Sequence, residues 1–207
     1  MFSDECSVQR GSGKAAEWCF RYPYEKYNPD MITEKEKGKI MSQMVWGAIW
    51  LTRNGRVRRS ELVIMKRHFA SKKHGYSGDS YIQTLEEGLL PHYKPGQIFV
   101  QDNAPIHNCK KSKEFFESHG IWVMDWPPYS PDLNPIEHLW WALKKKVHEL
   151  HPELVTMGDA ESDWEALCEA LKEARGELPD DLIRKLIHSM PQRLEAVRVA
   201  KGRQTKY

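Results

Sequence analysis

The chain has 207 residues, of which 40% are apolar and 29% charged, with eight Trp among them. That length and composition suit one folded domain with a substantial core and exclude extensive disorder. A net charge of +2 does not by itself demand a nucleic-acid partner, and no apolar run approaches the roughly 20 residues of a membrane-spanning helix.

The opening MFSDECSVQR lacks the apolar middle of a signal peptide and so implies an intracellular chain. FSDECSVQ (2–9) reads as a strand, and AAEWCFRYP (15–23), after the turn GSGK, as a second. YEKYNPDMITEKEKGK is polar and punctuated by Asn and Pro, hence a loop. SQMVWGAIWLT reads as a buried strand that turns at RNGR into a partner, ELVIMKR. SGDSYIQTLEEGLLPHY opens on Ser and Asp caps, spaces Tyr81, Leu85 and Leu89 along one helical face, and stops before KPGQ. IFVQD is a short strand, KKSKEFFESHG an amphipathic helix closed by Gly120, and IWVMDW the next strand. After the prolines of WPPYSPDLNP a helix runs from Pro135 to about Leu150, followed by helices over roughly 159–173 and 180–198. Antiparallel strands first and alternating helix and strand afterwards predict one α/β domain, a mixed central sheet with helices on both faces. Cys6, Cys19, Cys109 and Cys168 form no C-x-x-C pair and read as reduced thiols. Basic clusters at 53–59, 66–67, 72–73, 110–113 and 144–146 permit a DNA-binding surface without requiring one.

Three acids stand out. Asp102 lies where IFVQ ends and NAPIH begins, at the carboxyl end of a strand, where ligands gather in α/β sheets. The competing reading is an Asx turn made by Asp102 and Asn103. Asp4 sits inside a strand, where an acid is unfavourable unless something exploits it; an edge strand or frayed terminus is the alternative. Glu137 has a structural role available, because Asn134, Pro135 and Glu137 suit N-cap, N1 and N3 of a capping box. The helix beyond it buries Ile136, Leu139, Trp140, Leu143 and Val147 on one face. A capping glutamate would need none of the preceding rigidity, however. Pro131 and Pro135 fix how the helix leaves the strand before it, and that brace aims Glu137. Three carboxylates from two strands and a helix are what a two-metal phosphoryl-transfer site requires, since hard Mg²⁺ takes oxygen ligands.

FSDE, VQDNAPIH and WPPYSPDLNPIEHLWWALK, in this order, resemble the catalytic domain of Tc/mariner superfamily transposases, most of all the fungal members. The 34 residues between Asp102 and Glu137 match the spacing of one major branch, and SMPQRLEAVRVAKGRQTKY resembles the C-terminus of such proteins, so the likeness spans residues 1–207. The resemblance implies a ribonuclease-H-like fold and a D-D-E site in which Asp4, Asp102 and Glu137 hold two Mg²⁺ ions, with Mn²⁺ as substitute. It implies that Asn103 and His107 support the metals, His107 orienting a phosphate or an acid. By the same reading His138 packs or hydrogen-bonds beside Glu137, and Asp132 is a turn residue. The activity implied is DNA transposition: water cleaves the transposon end, and the freed 3′-hydroxyl attacks target DNA. DNA in the nucleus is then the partner, a homodimer is allowed for, and no membrane is involved.

Family members carry helix-turn-helix readers ahead of this domain, whereas here only Met1 precedes FSDE. The expectation is a catalytic domain without those readers, its first strand shortened, and its DNA binding salt-sensitive and nearly sequence-blind. Two alternatives are a non-catalytic, transposase-derived DNA-binding or interaction protein and a ribonuclease H, the latter disfavoured by SPDLNPIEHLW.

Overall fold

A computed structural model describes residues 1–9, 42–68, 75–155, 160–203 and 205–207. The strand expected over 15–23, the loop over 24–39, Cys19 and the basic pair 72–73 lie outside the described residues.

Strand β1 (Phe2–Gln9) is not shortened to a stub. All eight of its residues pair antiparallel with β2 (Ser42–Leu51), from Phe2 opposite Ile49 to Gln9 opposite Ser42. Beyond β2 lie β3 (Val57–Arg59) and the two-residue β4 (Val63–Ile64), both antiparallel to it. The turn from β2 into β3 uses Gly55 at φ +70°, a conformation that favours glycine.

On the other side of β1 the pairing becomes parallel. Ser3 N–H donates to Val100 O at 3.0 Å and Val100 N–H to Met1 O at 2.9 Å, seating β5 (Ile98–Phe99) beside β1. β6 (Trp122–Val123) is parallel to β5. The order β3–β2–β1–β5–β6 thus places β1 centrally in a mixed sheet, as expected from the change in pattern along the chain.

The period-2 alternation of β2 divides the core. Val45 and Ile49, with Cys6 and Val8 of β1, face the helices α3 (Ile136–Leu150), α4 (Glu161–Glu177) and α5 (Asp180–His188). Trp46, Ala48 and Trp50 face α1 (Gly78–Gly88) and α2 (Lys110–Ser118). Helix α1 can lie this close because its last residue has no side chain. A Cβ on Gly88 would stand 2.5 Å from Trp46 Cζ3 and 2.7 Å from Val63 Cγ2. Gly88→Ala should therefore cost about 1–3 kcal/mol through overpacking. The check is the melting temperature, which should fall by about 2–4 °C per kcal/mol for a chain of this size; an unchanged melting point would show that the sheet and helix can part freely.

Three expectations need correcting. Helix α1 ends at Gly88 instead of running on to Tyr93, because Pro91 disfavours helical backbone at Leu90 and the chain continues in turns. The helix expected over 180–198 is two, α5 and α6 (Met190–Val199), parted at Ser189, with Pro191 in the first turn of α6, where its missing N–H costs nothing. Helix α4 spans Glu161–Glu177 and not 159–173. The expected closure of α2 is present: Gly120 takes φ +60° and Ile121 N–H returns to Phe116 O at 2.9 Å.

Candidate active site

Asp4 comes from the middle of β1, opposite Gly47 of β2. Phe2 bridges Val100. That bridge brings the end of β5, with Asp102 two residues beyond Val100, to the side of β1, where Asp102 lies close enough to act on the Glu137 carboxyl. The Trp140 indole of α3 donates from Nε1 to Asp4 Oδ2 at 2.9 Å. Gly47 makes room for that indole, since a Cβ there would lie 3.1 Å from Trp140 Cη2. Glu137 precedes Trp140 by three residues, the same side of the helix, and its carboxyl lies close enough to Asp4 for the two to shift each other's protonation.

The electrostatics follow from that crowding. Burial pushes the Asp4 carboxyl up to about 8, and the negative charges of Glu137 and Glu5 add to it. Glu137 is also raised, chiefly by burial; its contact with Asp4 works the other way, while Asp102 repels it and Lys144 draws it down. Two crowded acids resist carrying both negative charges together, and a bound cation would relieve that repulsion.

Asp102 sits just past β5, and the two readings of it hold together. Its Oδ1 accepts from Ala104 N–H at 2.9 Å, closing an Asx turn, and from His107 Nδ1 at 2.7 Å. The His107 bond is the main reason the Asp102 carboxyl lies below its usual range. Burial opposes charge on His107, yet its bond to Asp102 and the nearby Glu5 carboxylate prevail and lift it to about 10.

Asn103 fastens loops together. Its Nδ2 donates to Trp126 O at 2.5 Å and its Oδ1 accepts from Asn108 at 3.3 Å, tying the Asp102 turn to the start of WPPYSPDLNP. At the far end of that segment, buried Asn134 donates from Nδ2 to Ser3 O at 3.0 Å, one residue before Asp4. The capping box expected there is absent. Helix α3 begins at Ile136 and Pro135 stands at its N-cap without a side-chain bond; Asn134 Oδ1 accepts from Ile136 N–H at 3.5 Å, while its Nδ2 serves β1. The proline brace is thus anchored to both acid-bearing strands. Asp132 is a turn residue in the short 3₁₀ segment Pro131–Leu133, and its Oδ2 accepts from Thr205 at 2.8 Å. His138 Nδ1 accepts from Arg193 Nη2 at 3.1 Å, away from the acids. Glu5, Trp140 as the partner of Asp4, and Arg193 carry no signal that periodicity or spacing could have revealed. Each depends on which elements the topology brings together.

Two groupings could hold a cation. Asp4, Asp102 and Glu137 offer only oxygen donors, partly buried and mutually repelling, which suits a hard divalent ion. Ligand atoms of Glu5, Asp102 and His107 also lie within 4.8 Å of one another. There, however, the two imidazole nitrogens face different carboxylates, Nδ1 toward Asp102 and Nε2 toward Glu5. An ion shared by all three would take one imidazole nitrogen and displace its present carboxylate contact.

The sheet order and the acid-bearing elements define the class, a ribonuclease-H-like catalytic domain. The mariner Mos1 paired-end complex with Mg superposes with a TM-score of 0.63 at 20% identity, over 99% of this chain and 56% of that one. The catalytic domain of Mos1 mariner transposase gives 0.54 at 18% identity, over 99% and 83%. A family model of DDE superfamily endonucleases matches residues 64–156, which include Asp102 and Glu137. The Tc1 transposase of Caenorhabditis elegans is 30% identical over 207 residues, all of this chain and 70% of that protein. The Tcb2 transposase of Caenorhabditis briggsae is 31% identical over 211 residues, again with 70% of the relative covered. The chain belongs to the Tc/mariner transposases and is a DDE-type catalytic domain of that family. It spans just over half the length of the chains in the Mos1 strand transfer and paired end complexes.

Proposed function

We propose that residues 1–207 form a single catalytic domain that cuts DNA strands and joins a transposon end to target DNA, using divalent metal ions held by Asp4, Asp102 and Glu137. The observation that carries this reading is the convergence of acids from β1, the end of β5 and α3: Trp140 of α3 bonds Asp4, and Asp4 and Asp102 both act on the Glu137 carboxyl. Related Mos1 structures were solved with Mn, with Mg and with a transposon end, which supports the same chemistry here. With DNA as substrate, the nucleus is its place of work. No helix among the described residues is long and apolar enough to cross a membrane.

Two divalent ions, when bound, would activate the attacking hydroxyl and neutralise the leaving oxygen. The chain's own residues supply positioning. Trp140 holds one oxygen of Asp4 and leaves the other for a ligand bond. Ala104 and His107 together occupy Asp102 Oδ1, which leaves Oδ2 available. Glu137 stands in the first turn of α3, where the helix dipole favours its ionised form.

Melting of the purified protein against rising Mn²⁺ or Mg²⁺ tests the reading, alongside nicking of supercoiled plasmid. An ion that binds only the folded state at a hundredfold excess over Kd stabilises it by about 2.7 kcal/mol. No thermal shift and no nicking would overturn the assignment, and cleavage of RNA–DNA hybrid in preference to duplex would turn it toward a ribonuclease H.

A further inference from the structure

Strand alternation places Glu5 on the opposite face of β1 from Asp4, toward α1 and α2. On that face Glu5 meets His107. The Glu5 side chain is 14% exposed, that of His107 1%. Glu5 Oε2 lies 3.2 Å from His107 Nε2, close but out of line for a hydrogen bond, so that Nε2 is a buried polar atom without a hydrogen-bond partner. The other ring nitrogen reaches Asp102 Oδ1 at 2.7 Å and Asp102 O at 3.1 Å.

The imidazole cannot swing away from this pair. Its ring lies against the buried ring of Tyr81, with centroids 4.2 Å apart, and Tyr81 is itself fixed by donating its hydroxyl to Gln101 Oε1 at 2.5 Å. Gln101 directly precedes Asp102 in the chain. His107 N–H also returns to Ala104 O at 2.9 Å, which closes the turn that carries Asp102. The result is a rigid row, carboxylate, imidazole, carboxylate, running from the back of β1 around to the candidate metal face.

Glu5 is a costly residue for mere packing. It places a third negative charge near Asp4 and Glu137 and contributes to the repulsion on Asp4. A glutamine would fill the same space and present a neutral oxygen to Nε2. What only a carboxylate supplies is a full negative charge 3.2 Å from Nε2, which holds the ring with Nδ1 directed at Asp102.

We propose that Glu5 is a positioning residue: acting through His107, it fixes the Asp102 carboxylate in the orientation that leaves Oδ2 for a metal ion. The proposal rests on the function assigned above, and its test separates the two. Mn²⁺ binding to the full chain is followed by the EPR signal of the free ion, for wild type, Glu5→Gln, His107→Asn and the double variant, with plasmid nicking and metal-free melting measured in parallel. Glu5→Gln should weaken Mn²⁺ binding on the order of 10–100-fold, with the metal-free melting temperature held or raised. In the His107→Asn background the same Glu5→Gln change should have no further effect. Glu5→Asp, one methylene shorter, should fall between Gln and wild type.

Wild-type Mn²⁺ affinity in Glu5→Gln would overturn the proposal and leave Glu5 a packing residue. So would an undiminished loss in the His107→Asn background, which would make Glu5 a direct ligand. A wild type that neither binds Mn²⁺ nor nicks DNA would overturn the proposed function itself, and the role of Glu5 with it.

Discussion

Asp102→Asn and Glu137→Gln should each reduce strand cleavage on the order of 10³-fold or more while leaving DNA affinity unchanged or slightly raised. Both substitutions preserve shape. The first keeps an amide oxygen for Ala104 N–H, so the Asx turn survives, and the second keeps a side chain that can still lie against Asp4. Under the proposed function, what each removes is a negative oxygen ligand for a divalent ion, without which the developing charge at phosphorus would go uncompensated. The side effects distinguish this loss from misfolding. Glu137→Gln removes one of the charges that raise Asp4, so the metal-free protein should melt no lower than wild type, while its metal-induced rise in melting temperature disappears. DNA affinity should hold or increase because negative charge is removed near phosphate. Wild-type nicking rates in both variants would sink the three-acid site. Unchanged nicking in Glu137→Gln alone would move the third ligand elsewhere, with Glu5 the nearest remaining carboxylate by its effect on Asp4.

The mixed sheet was legible because each part of the chain carries its own period. The apolar run SQMVWGAIWLT could only be a buried strand, and Ser77 with Ser80 closes α1 with a capping box where Ser/Asp caps were read. The three acids were legible as residues, but the sequence could not show that they meet. What brings their elements together is the parallel bridge of Phe2 with Val100 and the anchor from Asn134 to Ser3 O, contacts between residues 97 or more positions apart. N-x-x-E misled for the same reason. A local rule assigns Asn134 to its own helix, whereas a buried strand carbonyl elsewhere in the fold claims its amide. The rigidity of SPDLNP did point correctly to a braced helix. What braces it, beyond proline, is Arg193, some fifty residues further on, in a helix whose sequence looks solvent-facing.

Arg193→Met should lower stability by about 2–4 kcal/mol and cleavage by about tenfold. The guanidinium is 1% exposed, although α6 is otherwise largely at the surface. Nη1 donates to Asp132 O at 2.6 Å, Nε to Ser189 Oγ at 2.8 Å and Nη2 to His138 Nδ1 at 3.1 Å, while the Tyr207 ring lies 4.7 Å from its centre. One side chain therefore joins the C-terminal tail, the α5–α6 junction, the proline brace and the residue after Glu137. Methionine keeps most of the stem volume but leaves the Asp132 carbonyl and the Ser189 hydroxyl short of a donor, at about 1–3 kcal/mol for each group left unsatisfied. At about 2–4 °C per kcal/mol, the melting temperature should fall by roughly 4–16 °C. The activity loss has a different origin, because a brace freed at Asp132 and His138 lets Glu137 drift from Asp4, and second-sphere changes typically cost about 10–100-fold. Thr205→Val, which removes the bond to Asp132 Oδ2 and the weaker one from Tyr207 N–H at 3.3 Å, isolates one strand of this network and should cost about 1 kcal/mol with little change in cleavage. If Arg193→Met melts with the wild type but cleaves poorly, Arg193 acts on Glu137 alone; if it melts early and cleaves normally below its transition, the C-terminal helices stabilise the fold without aiming the acid.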